Sequence, residues 1–289
     1  MTMPYNPKEL LNNTLTMVID LLACGINPDK STVFIQSLCP EHTELAWILG
    51  CFCSYGELQR MTQFKDKSES EKLQERGAIV STGLFTYPIL QCADILIYRA
   101  EYVPVGKDQE QHLELSRTLA NRFNNKHGDF FKEPKALFTE VPKLLSLADP
   151  TKKMSKSLGD PHCLRLFEDE ASIRRKVRTA VTDVGPEKGQ MSLGIENLFE
   201  LLKASDKIEA HHSLMESYNN GTLKYSDLKE TVANGLVELS KKFTDKKNEL
   251  IKDENLIKEQ IYEMSITARR YAKETLSEVR ELVGLPKLH

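Results

Sequence analysis

Short apolar or β-branched runs alternate with helix-spaced segments through about residue 150, and beyond Asp169 the pattern is almost wholly helical. Strands separated by helices return to the same sheet through crossovers, so the first part of the chain is expected to form an α/β parallel sheet. Residues 8–24 place Leu10, Leu11, Leu15, Val18, Leu21 and Leu22 at helical spacing, and Gly25 stops the helix. Residues 32–36 read as a buried strand, 41–54 as a helix carrying the only tryptophan, Trp47, and 62–77 as a loop entering an exposed helix. A helix is expected over 83–100, a strand over 102–105 ending at Gly106, a long helix from 108 to about 126, and a short strand over 144–147. An internal break at 185–194 and a turn at 218–221 follow. The last helix, 255–283, puts Ile257, Ile261, Met264, Ala268, Ala272, Leu276 and Val279 on one face and is expected to pack back on the first domain. At roughly 150 residues per domain, two domains are expected, 1–160 and 161–289.

A formal net charge of −3 gives no global basic footprint, so a nucleic acid would need a local patch. The six cysteines lie in or beside apolar runs without CxxC metal spacing, as reduced, partly buried residues of a cytoplasmic protein do. The longest apolar run, 45–53, is too short to span a bilayer, and the amino end lacks a signal pattern.

Residues 150–161, PTKKMSKSLGDP, are bounded by Pro150 and Pro161 and contain Gly159-Asp160, so they form a loop. Lys152, Lys153 and Lys156 with Ser155 and Ser157 suit a polyphosphate whose charge is redistributed during reaction. A solvated lysine-rich surface loop is the plainer alternative.

Three further constellations carry chemistry. Tyr87, Gln91, Asp94 and Tyr98 fall at i, i+4, i+7 and i+11 on one side of a helix whose flanks are apolar, with Pro88 placed in its first turn. Their partners are either other protein groups or a small ligand with an aromatic body and one polar handle. In 105–112, VGKDQEQH, a strand ends, Gly106 admits close approach and a helix begins. Asp108 and Gln111 are spaced as a variant capping box, while the carboxyl end of a parallel strand is also where ligands bind. Gln109 could hold an ammonium or carboxylate, and His112 reads as structural. Arg174, Arg175, Lys176 and Arg178 make a basic strip, either a solvated helix face or a contact for RNA phosphates.

The string Lys153-Met154-Ser155-Lys156-Ser157 resembles the KMSKS signature of class I aminoacyl-tRNA synthetases. With 56–67 (GELQRMTQFKDK), 87–98, 103–117 and 149–157, the resemblance is to the bacterial tryptophanyl-tRNA synthetases and runs from about Thr14 to Leu285. It implies a Rossmann-like parallel sheet followed by a helical, anticodon-reading domain, and a homodimer. It implies activation of L-tryptophan by ATP, accompanied by Mg²⁺, and transfer to tRNA(Trp). By the same resemblance Asp94 accepts the indole N–H, Gln91 lies beside it in the pocket, and Tyr87 and Gln109 hold the ammonium and carboxylate. Gly106, Lys107 and Asp108 lie along the ribose, while Leu144 and Met154 touch adenine. Lys153 and Lys156, with Ser155 and Ser157, act on the phosphates.

Three departures qualify the likeness. Gln91 stands where several members have methionine, and a Gln with an Asp three residues later also occurs in tyrosyl enzymes. Lys107 replaces the usual glutamate. The glycine-rich HIGH-type ATP segment that opens the family pattern is not among these 289 residues, which are therefore expected to activate tryptophan poorly by themselves. A tyrosine enzyme and a non-catalytic paralogue acting as a binding or sensor module are the competing readings.

Overall fold

The computed structural model describes residues 5–62, 81–138, 144–182 and 191–286. The chain divides into two compact units, Met1–Thr139 with Asp253–His289, and Glu140–Lys252.

In the first unit, Asn6 caps α1 (Pro7–Ala23) through the Lys8 N–H, and the chain leaves it at Gly25 with φ 107°. The expected strand at 32–36 does not form: the segment runs as coil into a 3-10 turn, Gln36–Leu38. The Ile35 N–H donates to Ser265 Oγ at 3.2 Å, so a side chain takes the place of a ladder partner. α2 (Glu41–Gly50) and α3 (Tyr55–Gln59) follow, the latter opened by a Ser54/Glu57 capping box. α4 (Thr82–Leu96) is capped by Ser81 and starts before Pro88, which sits inside the helix and not in its first turn. β1 (Tyr102–Pro104) pairs in parallel with β2 (Lys135–Leu137) in the register Tyr102↔Lys135, Val103↔Ala136, Pro104↔Leu137.

A 3-10 turn, Lys107–Gln109, leads into α5 (Glu110–His127), which lies between the two strands in sequence. α10 (Glu254–Leu282) packs on α2 and on the 3-10 turn before it. The core gathers α2, α4, α5 and α10 around Phe123, fully buried and ringed by Phe52, Phe130 and Phe131. At about 25 cal/mol per Å² of apolar surface removed from water, this packing outweighs the three-residue ladder in holding the unit together.

The second unit contains the lysine-rich loop, α6 (Glu170–Thr179), α7 (Leu193–Ala204), α8 (Ile208–Asn219) and α9 (Tyr225–Lys252). The expected strand at 144–147 is reduced to a single antiparallel bridge, Leu145↔Lys153. α9 packs on α6 and α7 over Val177, Leu198, Leu202, Leu228 and Val232. A Cβ on Gly194 would lie 2.1 Å from the Val181 carbonyl oxygen, so α7 approaches residues 181–182 closely enough to require glycine. The expected boundary at 160/161 falls inside this unit, because the groups that hold the loop come from α6 and α7. Most of the expected helix over 62–77 and of the break over 185–194 lies outside the described residues.

Arg122 reaches across from α5 to grip both Glu57 carboxylate oxygens at 2.7 Å, tying α3 to the core. That hydrogen bonding, aided by the capping contacts with Ser54, holds the Glu57 carboxyl down at about 2 against an ordinary 4.5. A depressed carboxylate pKa stabilises the fold above the unfolded value and loses that contribution as pH falls through the folded one. Glu57→Gln should therefore be less stable than the parent in urea at pH 7, with the gap beginning to close below about pH 4.5. A gap that stays constant down to pH 3 would count against the clamp.

Candidate functional site

The lysine loop is fastened on its upstream side by Asn197. This buried α7 side chain accepts from the Leu145 N–H at 2.7 Å and donates to the Leu145 carbonyl at 2.9 Å, acting as a one-residue strand partner. The Met154 N–H reaches the Leu144 carbonyl at 3.0 Å and the Ser146 N–H the Lys152 carbonyl at 2.9 Å. Ser146 Oγ lies 2.8 Å from His162 Nδ1, linking the two sides of the loop. Its tip is a 3-10 turn, Lys156–Leu158, opened by Ser155, whose Oγ accepts from the Ser157 N–H at 3.3 Å, and closed by Gly159 at φ 105°.

On this scaffold the three lysines differ. Lys152 pairs with Asp149 at 3.0 Å, and Asp149, also bonded by Thr151, is drawn down to about 2. Lys153 and Lys156 are exposed and make no ion pair or side-chain hydrogen bond with any described residue. Two ammonium groups are thus left for an anionic ligand on a backbone that is already ordered. Leu144 and Met154 turn their half-buried side chains to the second unit's core, where they line a cavity of about 160 Å³ with Leu164, Ile173 and Leu236.

Lys176 departs from the solvated strip expected of its neighbours. Its side chain is 1% exposed, and its ammonium donates to Asp160 Oδ1 and the Cys163 carbonyl, both at 2.9 Å, and also pairs with Glu168. Burial alone would lower this lysine's pKa, but hydrogen bonds to Glu168 and Asp160 outweigh it and raise the value.

In the first unit the α4 stripe is met by protein groups. Asp94 receives His42 Nδ1 at 2.6 Å and Gln36 Nε2 at 2.8 Å on both oxygens, while its side chain remains 33% exposed. The carboxylate can only accept, so His42 donates at Nδ1; in the neutral ring Nε2 then accepts from the Tyr98 hydroxyl at 2.9 Å. Burial pushes the Tyr98 phenol well above its usual range and keeps it a donor. Tyr87 OH is 3.2 Å from Nε2 of His112, which is buried as a structural histidine would be.

Gln91 Nε2 donates to Gln109 Oε1 at 3.3 Å, and Gln109 Nε2 to Asp108 Oδ2 at 3.0 Å. Tyr87 with His112, Gln91 with Gln109 and Asp108, and Asp94 with Gln36, His42 and Tyr98 therefore form three separate hydrogen-bonded sets in the first unit. The capping box proposed for Asp108 and Gln111 does not form: α5 starts with Gln109 as an uncapped N-cap, and Gln111 instead binds the Thr62 N–H and the Arg60 carbonyl. Gly106 stands close to the Asp108 carboxylate: a Cβ would lie 2.7 Å from Asp108 Oδ1, so a larger residue would make that side chain shift. Lys107 is exposed and pairs with Glu110 at 3.4 Å.

Sequence reasoning missed Gln36, His42 and Asn197. Gln36 and His42 lie 58 and 52 residues from Asp94, and Asn197 lies 52 from Leu145, so no local pattern announces them. The oddness of a histidine and an asparagine on otherwise apolar helices was the available signal.

The family model described as tRNA synthetases class I (W and Y) matches residues 1–241. A tryptophan–tRNA ligase from Caldanaerobacter subterraneus is 40% identical over 99% of this chain and 85% of its own length. One from Clostridium acetobutylicum is 40% identical over 98% and 84%. Among solved structures, tryptophanyl-tRNA synthetase from Mycoplasma pneumoniae superposes with a TM-score of 0.86 at 32% identity, covering 99% of this chain and 85% of that one. The Campylobacter jejuni enzyme, complexed with ADP and tryptophan, gives 0.77 at 32%, over 99% and 86%. The chain belongs to the class I tRNA synthetases of the W and Y family.

Asn197→Ala would orphan the Leu145 N–H and carbonyl, at about 1–3 kcal/mol for each buried group left unmade. Amide exchange at Leu145 and Met154 should quicken by an order of magnitude or more, while α8 amides keep their parent rates. Unchanged exchange at Leu145 would show that Asn197 does not hold the loop.

Proposed function

We propose that this protein is a tryptophan–tRNA ligase, which joins L-tryptophan to ATP as the aminoacyl adenylate and passes it to tRNA(Trp). The observation that carries the reading is the pair of ammonium groups, Lys153 and Lys156, without a partner among the described residues, on a loop with the family's signature, in a chain 40% identical to curated tryptophan–tRNA ligases. The amino-acid carboxylate attacks the α-phosphorus, a P–O bond to pyrophosphate breaks, and negative charge moves onto the leaving group. No side-chain nucleophile is required, so positioning and electrostatics supply the catalysis. Lys153 and Lys156 stabilise that charge, with Ser155 and Ser157 as hydroxyl donors beside them. Gly106, Lys107 and Asp108 border the ribose, and Leu144 and Met154 the adenine. Mg²⁺ arrives on the ATP phosphates, the hard oxygens it prefers.

For the amino acid, Asp94 accepts the indole N–H, Gln91 lines the pocket, and Tyr87 and Gln109 hold the ammonium and carboxylate. For the tRNA, a groove of about 440 Å³ between α6 and α9 is lined by Arg174, Arg175, Arg178 and Lys229, with Glu230 beside them. Arg178 makes no side-chain hydrogen bond or ion pair with a described residue, and Lys229 donates only to the Arg178 and Ala180 carbonyls. A second copy of the chain is the proposed occupant of an apolar groove of about 690 Å³ on α2, α3 and α4, where Trp47 is 78% and Tyr55 70% exposed. No helix of the described residues is long and apolar enough to cross a membrane. A reducing, cytoplasmic setting suits six cysteines that lie in or beside apolar runs.

Asp94→Ala should weaken tryptophan binding in calorimetry about ten- to hundred-fold, the scale of a lost hydrogen bond to a charged group. Unaltered affinity would take Asp94 out of the pocket. Arg178→Gln should leave amino-acid activation alone, weaken tRNA binding, and lower the slope of log K against log salt by about 1. An unchanged slope would remove Arg178 from the RNA contact.

A further inference from the structure

The lysine loop has a second fastening, on its downstream side, that the reaction scheme does not use. Gly159 ends the 3-10 turn carrying Lys156, and the next residue, Asp160, is gripped by three cations: Lys176 at 2.9 Å, Arg175 at 3.3 Å and Arg165 at 3.7 Å. Lys176 is the buried member of this set. Its ammonium also takes the Cys163 carbonyl and Glu168, so all three of its protons have acceptors. Glu168 is itself held by Ser172 and by the Arg165 N–H, and its carbonyl accepts from Ser240 of α9. Asp160 is half-exposed and is the member of this node that belongs to the loop. The link therefore runs from α9 and α6 through a buried charge to the residue four places after Lys156.

We infer that Lys176 is a positioning residue for the lysine loop: through Asp160 it fixes where the 3-10 turn, and with it the Lys156 ammonium, stands. The physical reason is an imbalance within the loop. Lys153 and Lys156 are like charges three residues apart with no counter-ion among the described residues, and a tip free to turn would carry them apart or out into water. A buried ammonium with saturated acceptors resists displacement, because moving Asp160 away would leave charge unmatched at a nearly dry site. The inference rests on the reading of Lys156 as a phosphate ligand only for its consequence; the clamp itself is a statement about the loop.

The first variant is Asp160→Asn, which keeps the shape of an exposed side chain and removes its charge; Lys176→Met is the second. Two readouts are taken. Amide exchange at Ser157, Leu158 and Gly159 should rise at least ten-fold in Asp160→Asn, with Leu198 and Leu202 of α7 unchanged. The single-turnover rate of adenylate formation should fall about ten- to hundred-fold, the penalty of a misplacement of around 1 Å, with tryptophan affinity kept. In a Lys156→Ala background, Asp160→Asn should cause little further loss, since both act through one ammonium. Exchange at 157–159 that matches the parent, or losses that multiply fully in the double variant, would overturn the clamp. If Lys156→Ala alone left the rate intact, the phosphate reading would fail, and the exchange data would still decide whether Lys176 holds the loop. Should Lys176→Met not fold, Asp160→Asn carries the test alone.

Discussion

Two like charges on one short loop, with no counter-ion among the described residues, are the constraint around which the second unit is arranged. Lys153 and Lys156 repel each other, and each would gain by finding a carboxylate, as Lys152 does with Asp149. The fold withholds that partner and instead restrains the backbone on either side, through Asn197 before the loop and the Asp160 node after it. Under the proposed function, a polyphosphate supplies the missing counter-charge, which is how a site can favour a charge that develops during reaction over one already present.

The first unit answers a different problem with similar means. A carboxylate on a largely apolar helix must be met by donors, and Asp94 is met from one side by the buried His42, held in turn by Tyr98. The exposed Gln36 amide covers its other side and lies across both oxygens. His42 fixes the direction of the carboxylate, whereas Gln36 is the partner that an incoming N–H donor can replace most readily, being at the surface. An ordered acceptor with one exchangeable partner is what discrimination by a single hydrogen bond requires.

The parts of this architecture visible in the sequence are those set by local rules. Apolar spacing located α1, α5 and α10, and the Val103 run before Gly106 located β1, because periodicity and turn chemistry act within a few residues. The Pro150 and Pro161 boundaries located the loop for the same reason. Failures came where a distant group settled the matter. The run at 32–36 has strand composition, yet Ser265 takes its backbone donor; 144–147 is reduced to one bridge because Asn197 acts as its partner. Lys176 reads as one more surface cation until α6 is folded against Asp160 and Glu168. Gln111 has the spacing of a cap but spends its amide on residues 60 and 62. For the candidate site, the stripe on α4 and the lysine loop were legible as residues, while the groups that meet them were not, since Gln36, His42 and Asn197 act from 50 or more residues away and Lys176 from 16.

The claim that most needs an answer is that Asp94 and its stripe select an indole. Thermal unfolding of the protein with increasing tryptophan or tyrosine tests it directly, because a ligand that binds only the folded state raises the midpoint in step with its affinity. The account predicts a saturable rise with tryptophan and none with tyrosine at the same concentrations. An equal or larger rise with tyrosine would contradict it.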